Sequence, residues 1–258
     1  MNFLIIADIV GKSGMDKLKE TYPIIVKNSN IDFTIVNGEN SANGKGIRMQ
    51  EYNDIISLGV DVITMGNHIY YRKEMADEYI KLDKLILPAN VTNLKFNKIF
   101  TTTKNNKTIS VINLLGKVGL NEITQNNVTC PFDKSIELIS NLKSDYIFVD
   151  FHAEATAEKI ALGYHLDGKV TCVYGTHTHV QTSDETILPN NTAYITDVGM
   201  TGPKDSVIGL EKSVALKRFA SHNIAKYVCS QNESMLNAII VKTDDTTSKV
   251  ISITRVRM

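Results

Sequence analysis

Short runs of apolar residues alternate with longer amphipathic segments in the part of the chain that precedes Asn90. The apolar runs predict buried strands at 3–7, 32–37 and 61–65. The segments between and after them predict helices at 15–28, 50–58 and 73–82. Strands that are apolar throughout and alternate with helices are typical of parallel sheets covered on both faces.

The pattern changes after Asn90, where strands are predicted to pair directly with one another. The segments 99–103 and 108–114 flank Lys104-Asn-Asn-Lys107, which predicts a hairpin turn. The next predicted elements are a helix at 135–142 and strands at 146–150, 170–174 and 192–196. The chain is then predicted to end in a hairpin at 237–242 and 249–257, with Asp244 and Asp245 at its turn. This pattern favours an α/β fold with two mixed sheets over a doubly wound sheet, with residues 1–258 forming a single domain.

Composition and charge narrow the kind of ligand. The chain has 258 residues, of which 43% are hydrophobic and 22% charged, as is ordinary for a globular protein. Its 28 basic residues balance 28 acidic ones, so no strong field attracts nucleic acid or an anionic membrane. Stable nucleic-acid binding is therefore not expected, and a small anionic substrate would need a local positive centre such as a metal ion.

The cellular location is predicted from the first residues and from the cysteines. The apolar run before Asp8 is short and lacks a basic leader, so no secretory signal is expected. No stretch has the length of a membrane span. The 3 cysteines are scattered and form neither a disulfide framework nor a metal-type pair. We therefore expect a cytoplasmic protein in a reducing environment, with no membrane partner.

Polar side chains follow one predicted strand after another. These residues are Asp8, Asn37, Glu39 and Asn40, Asn67 and His68, Asp150 and His152, and His177 and His179. In open α/β sheets, ligands bind beyond the carboxyl ends of the strands, so these side chains are expected to converge at one edge. Carboxylate oxygen and imidazole nitrogen suit Fe, Mn and Zn. Two such ions about 3.5–4 Å apart would polarise a phosphoryl group and activate water.

Each of these signals also has a structural interpretation. An aspartate after a strand, such as Asp8, is usually a cap or a turn residue, and Asn37-Gly-Glu39-Asn40 reads as a turn. Asn67 and His68 could cap a helix. A His-x-His pair, such as the one at 177–179, also occurs on ordinary surfaces. The joint placement of these residues after successive strands favours a site.

Other polar segments are assigned no role in this site. His165 and His222 lack comparable neighbours and are predicted to be structural or surface residues, and Cys172 is predicted to be a small core residue. Gly11-Lys-Ser-Gly14 resembles the end of a nucleotide-binding phosphate loop, but Ile6 stands where the first glycine of that loop is required. This segment is therefore predicted to turn the chain into the first helix. The glycine-rich loop at 38–46 is predicted to bring Glu39 and Asn40 close to the ions.

Several blocks of the sequence resemble the calcineurin-like metallophosphoesterases, and more closely the YmdB-type bacterial phosphodiesterases. The most specific blocks are Asp150-Phe-His-Ala-Glu-Ala-Thr156, Gly175-Thr-His-Thr-His-Val-Gln-Thr182 and Thr196-Asp-Val-Gly-Met-Thr-Gly-Pro203. Earlier blocks are Ala7-Asp-Ile-Val-Gly11, Asn37–Gly46 and Thr64-Met-Gly-Asn-His68. The resemblance implies a four-layer α/β/β/α sandwich with two metal ions per chain, iron first and manganese or zinc as alternatives. It also implies self-association.

The resemblance further implies a role for each residue. One ion would be held by Asp8, Glu39, Asn40 and His179. Glu39 would bridge to the other ion, which would also take Asn67, His152 and His177. His68 would be the general acid on the leaving oxygen. The implied activity is hydrolysis of small phosphodiesters, namely 2′,3′- or 3′,5′-cyclic nucleotides.

The sequence departs from the expected pattern in two places. The wider superfamily usually carries a histidine where this chain has Val10, and Asn40 is predicted to fill the vacated coordination position. Tyr70 and Tyr71 follow the Gly-Asn-His block, where an aromatic and an acidic residue are usual, so substrate contacts and the support of His68 differ. Two alternatives stay open: a phosphomonoesterase such as a nucleotidase, and a metal-binding regulatory protein with little turnover.

Overall fold

The structure is a computed structural model that describes residues 1–92, 96–120, 127–220 and 225–258. Its first sheet has the strand order β15-β14-β1-β3-β4-β5. The central strands β1, β3, β4 and β5 are parallel, and β14 and β15 extend the sheet in antiparallel fashion. Their bounds are β1 (Asn2–Ile6), β3 (Phe33–Asn37), β4 (Val62–Thr64), β5 (Leu85–Ile86), β14 (Asn237–Thr243) and β15 (Val250–Arg257).

The second sheet also has six strands, in the order β10-β11-β9-β8-β7-β6. Strands β7, β8, β9 and β11 are parallel, while β6 and β10 pair antiparallel at the two edges. Their bounds are β6 (Ile99–Lys104), β7 (Lys107–Leu115), β8 (Tyr146–His152), β9 (Cys172–Thr176), β10 (Thr186–Ile187) and β11 (Ala193–Ile195). A small third sheet joins β2 (Asp8–Ile9), β12 (Met200–Pro203) and β13 (Ser234–Met235).

The two large sheets pack face to face, and helices cover their outer faces. Between the sheets, the Phe3 ring lies 4.9 Å from the Tyr146 ring and 4.6 Å from the Phe148 ring, measured between centroids. A second core lies under α1 (Gly11–Asn28) and α2 (Met49–Ser57), and a third under α3 (Pro131–Ile139) and α4 (Thr156–His165). A further helix is α5 (Lys212–Ala220). The four-layer α/β/β/α prediction is confirmed.

The helix predicted at 73–82 is wrong. The chain there forms short 3-10 turns at Lys73–Met75 and Tyr79–Lys81. Hydrogen bonds to residues outside these 3-10 turns hold this segment in place. Arg72 Nε donates to the Lys45 carbonyl oxygen at 3.0 Å, and the Tyr79 hydroxyl donates to the Ile69 carbonyl oxygen at 3.2 Å. Apolar residues spaced three and four apart can therefore be buried here by short 3-10 turns, without a continuous α-helix.

Other differences have local causes. Helix α1 begins at Gly11, whose φ of +60° suits glycine, and not at residue 15 as predicted. Lys12 lies at the surface and pairs with Asp16, so the segment turns the chain into α1 as expected. Helix α4 was not predicted, because an inward position is occupied by the charged Lys159. No helix among the described ranges is long and apolar enough to span a membrane.

Candidate metal centre

The polar residues that follow the strands meet between the carboxyl ends of the two large sheets. Asp8 lies in β2 directly after β1, and Glu39 and Asn40 lie in the loop after β3. Asn67 and His68 begin the 3-10 turn after β4, and His152 ends β8. His177 and His179 lie beyond the end of β9, in a loop where both have positive φ, and so do not extend the strand. The structure thus brings these residues together at one edge of the sheets.

His152 is at the centre of the cluster. Its Nε2 atom lies 2.9 Å from Asn67 Oδ1, 3.0 Å from Glu39 Oε1 and 3.0 Å from His177 Nδ1. The His152 and Glu39 side chains are fully buried, and His177 is half-buried. Three residues in this cluster, Glu39, His152 and His177, have potential ligand atoms within 4.8 Å of one another. Nitrogen and oxygen atoms with lone pairs therefore face a common point.

A buried hydrogen-bond chain orients the His152 imidazole. The Thr176 hydroxyl donates to Asp150 Oδ1 at 2.7 Å, so its oxygen accepts from His152 Nδ1 at 2.9 Å. Asp150 also accepts from Asn37 Nδ2 at 3.1 Å and from the Thr64 hydroxyl. Because Nδ1 is engaged in this chain, Nε2 faces the cluster, where a metal ion would displace its proton. Such a hydrogen bond on the other ring nitrogen is the usual outer support of a metal-binding histidine.

His177 and His179 are oriented in the same manner. Glu154 Oε2 lies 3.0 Å from His177 Nε2, which leaves Nδ1 facing His152. His179 Nδ1 donates to the Ile208 carbonyl oxygen at 2.9 Å, which leaves Nε2 facing Asn40 and Asp8. In each case a hydrogen bond on the outer nitrogen leaves the inner nitrogen available to a cation.

Asp8 and Asn40 form the second part of the cluster. Asn40 Nδ2 lies 3.3 Å from Asp8 Oδ1 and 3.1 Å from His179 Nε2. Asn40 Oδ1 accepts from His68 Nδ1 at 2.8 Å. Only the amide oxygen can ligate a metal, so ligation by Asn40 requires the amide to be turned from this orientation. Asp8 Oδ2 accepts from the backbone N–H of His177 at 3.2 Å, which ties the two halves of the site together.

Buried carboxylates dominate the electrostatics of the site. Burial raises the pKa of Asp8 well above its usual value, although His152 opposes this. Burial acts in the same direction on Glu39, but His152 and His68 outweigh it and hold the pKa of Glu39 well below its usual value. Burial would lower the pKa of His152, yet Glu39 and Asp8 raise it to about 9. The buried carboxylates thus favour a positive charge, either a proton or a cation, next to His152 Nε2.

The residues fit a cation well. Glu39 Oε1 is buried and has no hydrogen-bond donor among the described residues, although His152 Nε2 and His68 Nδ1 lie 3.0 and 3.3 Å away. Burial, with help from the charge on His152, lowers the pKa of His177 to about 3, so that ring is neutral and able to ligate at neutral pH. An orphaned carboxylate oxygen surrounded by imidazole and amide oxygen is the donor set of Fe, Mn or Zn.

A buried ion pair holds the loop that carries His177 and His179. Lys159 Nζ lies 2.6 Å from Asp197 Oδ2, and both side chains are almost fully buried. Asp197 Oδ2 also accepts from the Thr178 backbone N–H at 3.1 Å and from the Thr178 hydroxyl at 2.6 Å. Helix α4 and the segment after β11 therefore fix the residue between the two histidines.

Replacing Thr176 by valine is expected to weaken metal binding about 10- to 100-fold, the range for outer partners of metal ligands. Valine keeps the shape of the side chain but removes the hydrogen bonds to His152 and Asp150. Metal affinity is measured by titrating the metal-free protein. Thr186→Val, at an exposed position in β10, is the control. Unchanged metal affinity in Thr176→Val would contradict the orienting role of this hydroxyl.

The remaining predictions have clear outcomes. His165 is exposed at the end of α4 with its ring against Phe132, 5.4 Å between centroids, and Cys172 is buried in the core, both as predicted. His222 lies outside the described residues. The Tyr71 ring packs edge-on against His68 at 5.0 Å and its hydroxyl bonds Lys45 Nζ at 2.7 Å, so it supports His68. Tyr70 is 38% exposed.

Several residues that shape the site were given no role by sequence reasoning. Asp150 was placed among the converging residues without a role, although Asp150 and His152 are two apart in β8 and share a face, so alternation along the strand could have identified Asp150 as a partner of His152. Thr176 and the Lys159–Asp197 pair have no such local signal, because their partners are distant in the chain. Val10 is fully buried against Gly202 and Gly209 and takes no place among the polar residues.

The chain is similar to known proteins over nearly its whole length. The profile of the family described as YmdB-like protein matches residues 4–256. The chain belongs to the YmdB-like family. It is 42% identical over 259 residues to the 2′,3′-cyclic-nucleotide 2′-phosphodiesterase of Bacillus subtilis (strain 168), covering 99% of this chain and 96% of that protein.

Solved structures of this family and of more distant proteins share the fold. A structure described as a novel phosphatase from Mycoplasma pneumoniae superposes with a TM-score of 0.94 at 35% identity, covering 100% of this chain and 93% of that chain. The 5′-nucleotidase of Candida albicans SC5314 superposes with a TM-score of 0.59 at 14% identity, covering 99% of this chain and 50% of that chain. The latter likeness shows the metallophosphoesterase-type fold alone. Membership of this family implies divalent metal ions.

Proposed function

We propose that this chain is a metal-dependent phosphodiesterase that hydrolyses 2′,3′- or 3′,5′-cyclic nucleotides or similar small phosphodiesters. The observation that carries the proposal is the convergence of Glu39, His152 and His177 at one point, with Asp8 tied to them through the backbone N–H of His177. The name of the Bacillus subtilis relative supports the same class of substrate.

Two ions per chain are proposed. Asp8, Asn40 and His179 would hold one ion, and Asn67, His152 and His177 would hold the other, with Glu39 shared between them. The donor set suits iron first, with manganese or zinc as alternatives. When bound, the ions neutralise phosphate oxygens and generate a nucleophile from water at neutral pH.

His68 is proposed as the general acid. Its side chain lines the same cavity as Glu39, His177 and His179. Its Nδ1 atom bonds Asn40 Oδ1 at 2.8 Å, and within the described ranges its Nε2 atom forms no hydrogen bond. When Asn40 Oδ1 ligates a metal ion, the turned amide would donate from Nδ2 to His68 Nδ1, and the ring proton on Nε2 would be available to the departing ribose oxygen.

A phosphomonoesterase is the second candidate, because the Mycoplasma pneumoniae structure is described as a phosphatase. The two activities need the same metal ligands but differ in the substrate that must fit.

The proposed site would act in the cytoplasm, and the free state of Cys130, Cys172 and Cys229 agrees with a reducing compartment.

The test uses matched pairs of substrates on protein reloaded with Fe²⁺, Mn²⁺ or Zn²⁺. One pair is bis-p-nitrophenyl phosphate and p-nitrophenyl phosphate, and the other is 2′,3′-cyclic AMP and 3′-AMP. The proposal predicts a kcat/KM at least tenfold higher for the diester of each pair. Higher values for the monoesters would favour the phosphomonoesterase. Negligible turnover of all four compounds by metal-loaded protein would favour a regulatory metal-binding protein.

A further inference from the structure

The cavity beside the candidate metal centre is lined by both polar and apolar residues. It measures about 350 Å³, and its polar lining includes Glu39, His68, His177 and His179. Its apolar wall comprises Val207, Ile208, Leu210, Phe219 and Tyr227. Small-molecule sites usually measure roughly 300–1,000 Å³, so this cavity suits a compact ligand with one polar and one apolar end.

Phe219 is the exposed aromatic residue of the apolar wall. Phe219 is 75% exposed. It lies on α5 and lines the same cavity as the buried polar residues of the candidate metal centre. A large apolar ring that is mostly in water has an open face on which another planar group can stack. Stacking of a nucleobase on an aromatic ring tolerates every base, because each base has a π-face.

The neighbours of Phe219 are held in place. Arg218 Nε donates to the Ala225 carbonyl oxygen at 2.9 Å, and its guanidinium carbon lies 5.8 Å from the centre of the Tyr227 ring. The Tyr227 ring packs against Gly44, where an added Cβ would come within 2.4 Å of it. The wall is thus anchored to α5 on one side and to the 38–46 loop on the other.

Positive charge lies near this wall as well. Arg218 and Lys45 both line the cavity, and Lys45 Nζ lies 4.2 Å from the centre of the Tyr71 ring. Both cations face aromatic rings, so the cavity combines π-faces with positive charge next to the metal-binding residues. A nucleotide has the matching parts, since its phosphate is anionic and its base is planar and apolar.

We propose that Phe219 is a substrate-binding residue on which the base of a nucleoside cyclic phosphate stacks while the phosphate lies at the metal-binding residues. This inference rests on the proposed phosphodiesterase function and adds a binding site for the base. Phe219 stabilises the bound nucleotide through its ring and takes no part in the chemical step.

The test compares two substrates that differ only in the base. These are 2′,3′-cyclic AMP and 1-O-methylribose 2′,3′-cyclic phosphate, in which a methoxy group replaces adenine. The wild-type protein is expected to prefer the nucleotide in kcat/KM. In Phe219→Ala the ratio of the two kcat/KM values is expected to fall about tenfold, mainly through KM for the nucleotide, the size expected for one lost base–aromatic contact.

Two control variants isolate the ring. Phe219→Tyr keeps an aromatic face and is expected to retain the wild-type ratio within about twofold. Leu216→Ala removes an apolar side chain that is 65% exposed on the same helix and lies outside the cavity lining in the described part of the chain. It is expected to leave the ratio unchanged.

The possible failures are distinguishable. If the wild-type protein hydrolyses both compounds and Phe219→Ala has the wild-type ratio, the stacking site is wrong and the phosphodiesterase proposal stands. An equal fall in Leu216→Ala would also overturn the stacking site, since the effect would then not belong to the cavity. If metal-loaded wild-type protein hydrolyses neither compound, both proposals fail together.

Discussion

Replacing Glu39 by glutamine is expected to deplete both metal ions together and to lower kcat/KM for 2′,3′-cyclic AMP more than about 100-fold. Glu39 is fully buried, and its Oε1 atom lies 3.0 Å from His152 Nε2 and 3.3 Å from His68 Nδ1. Outer partners of metal ligands already change affinity 10- to 100-fold, so loss of a shared carboxylate should cost more. Metal content per chain and turnover are measured on the same preparation.

The control for this prediction is Glu137→Gln, which makes the same chemical change at an exposed ion pair with Lys134. It should retain full metal content and activity, because surface pairs of this kind contribute little. The proposed arrangement would be wrong if Glu39→Gln kept two ions per chain and full activity. Loss of one ion with the other retained would limit Glu39 to a single site.

Replacing His68 by alanine is expected to lower kcat for cyclic nucleotides about 100-fold or more while metal content stays near normal. General acid–base catalysis contributes about 10²- to 10⁴-fold, and this histidine contacts the proposed ligands Asn40 and Glu39 without being assigned as a ligand itself. The effect should be much smaller with bis-p-nitrophenyl phosphate, because p-nitrophenolate leaves readily without being protonated. This dependence on the leaving group separates an acid from a residue that only shapes the site.

The matched control is His165→Ala, which removes an exposed histidine at the end of α4. Its activity on both substrates should equal that of the wild-type protein. If His68→Ala instead lost its metal ions, His68 would be a ligand and the proton donor would have to be sought elsewhere. An equal loss with both substrates would also contradict the role of His68 as an acid.

The position of the proposed metal-binding residues could be predicted because it depends on a general property of α/β sheets. Asp8, Glu39, His152 and His177 follow strands whose apolar runs are plain in the sequence, and strand ends of neighbouring parallel strands meet. The central sheets were predicted for the same reason. Once the strands of each sheet are aligned, these residues lie close together, so no other signal in the sequence is needed to group them.

Features that depend on tertiary contacts could not be predicted in this way. The turns at 73–82 have helical spacing but are held by bonds from Arg72 and Tyr79 to distant carbonyl groups. Lys159 interrupts the apolar face of α4 because its partner, Asp197, is buried beneath it. The aromatic wall was missed because Phe219 is exposed and has no periodic pattern that marks it.

These side chains, although distant in sequence, are proposed to hold two neighbouring cations. The most direct measurement is anomalous scattering from crystals of the protein loaded with Mn²⁺. Two peaks are expected, one beside Asp8 and His179 and the other beside His152 and His177, with Glu39 next to both. Anomalous peaks elsewhere on the protein, or none at this cluster when bulk analysis finds manganese bound, would contradict it.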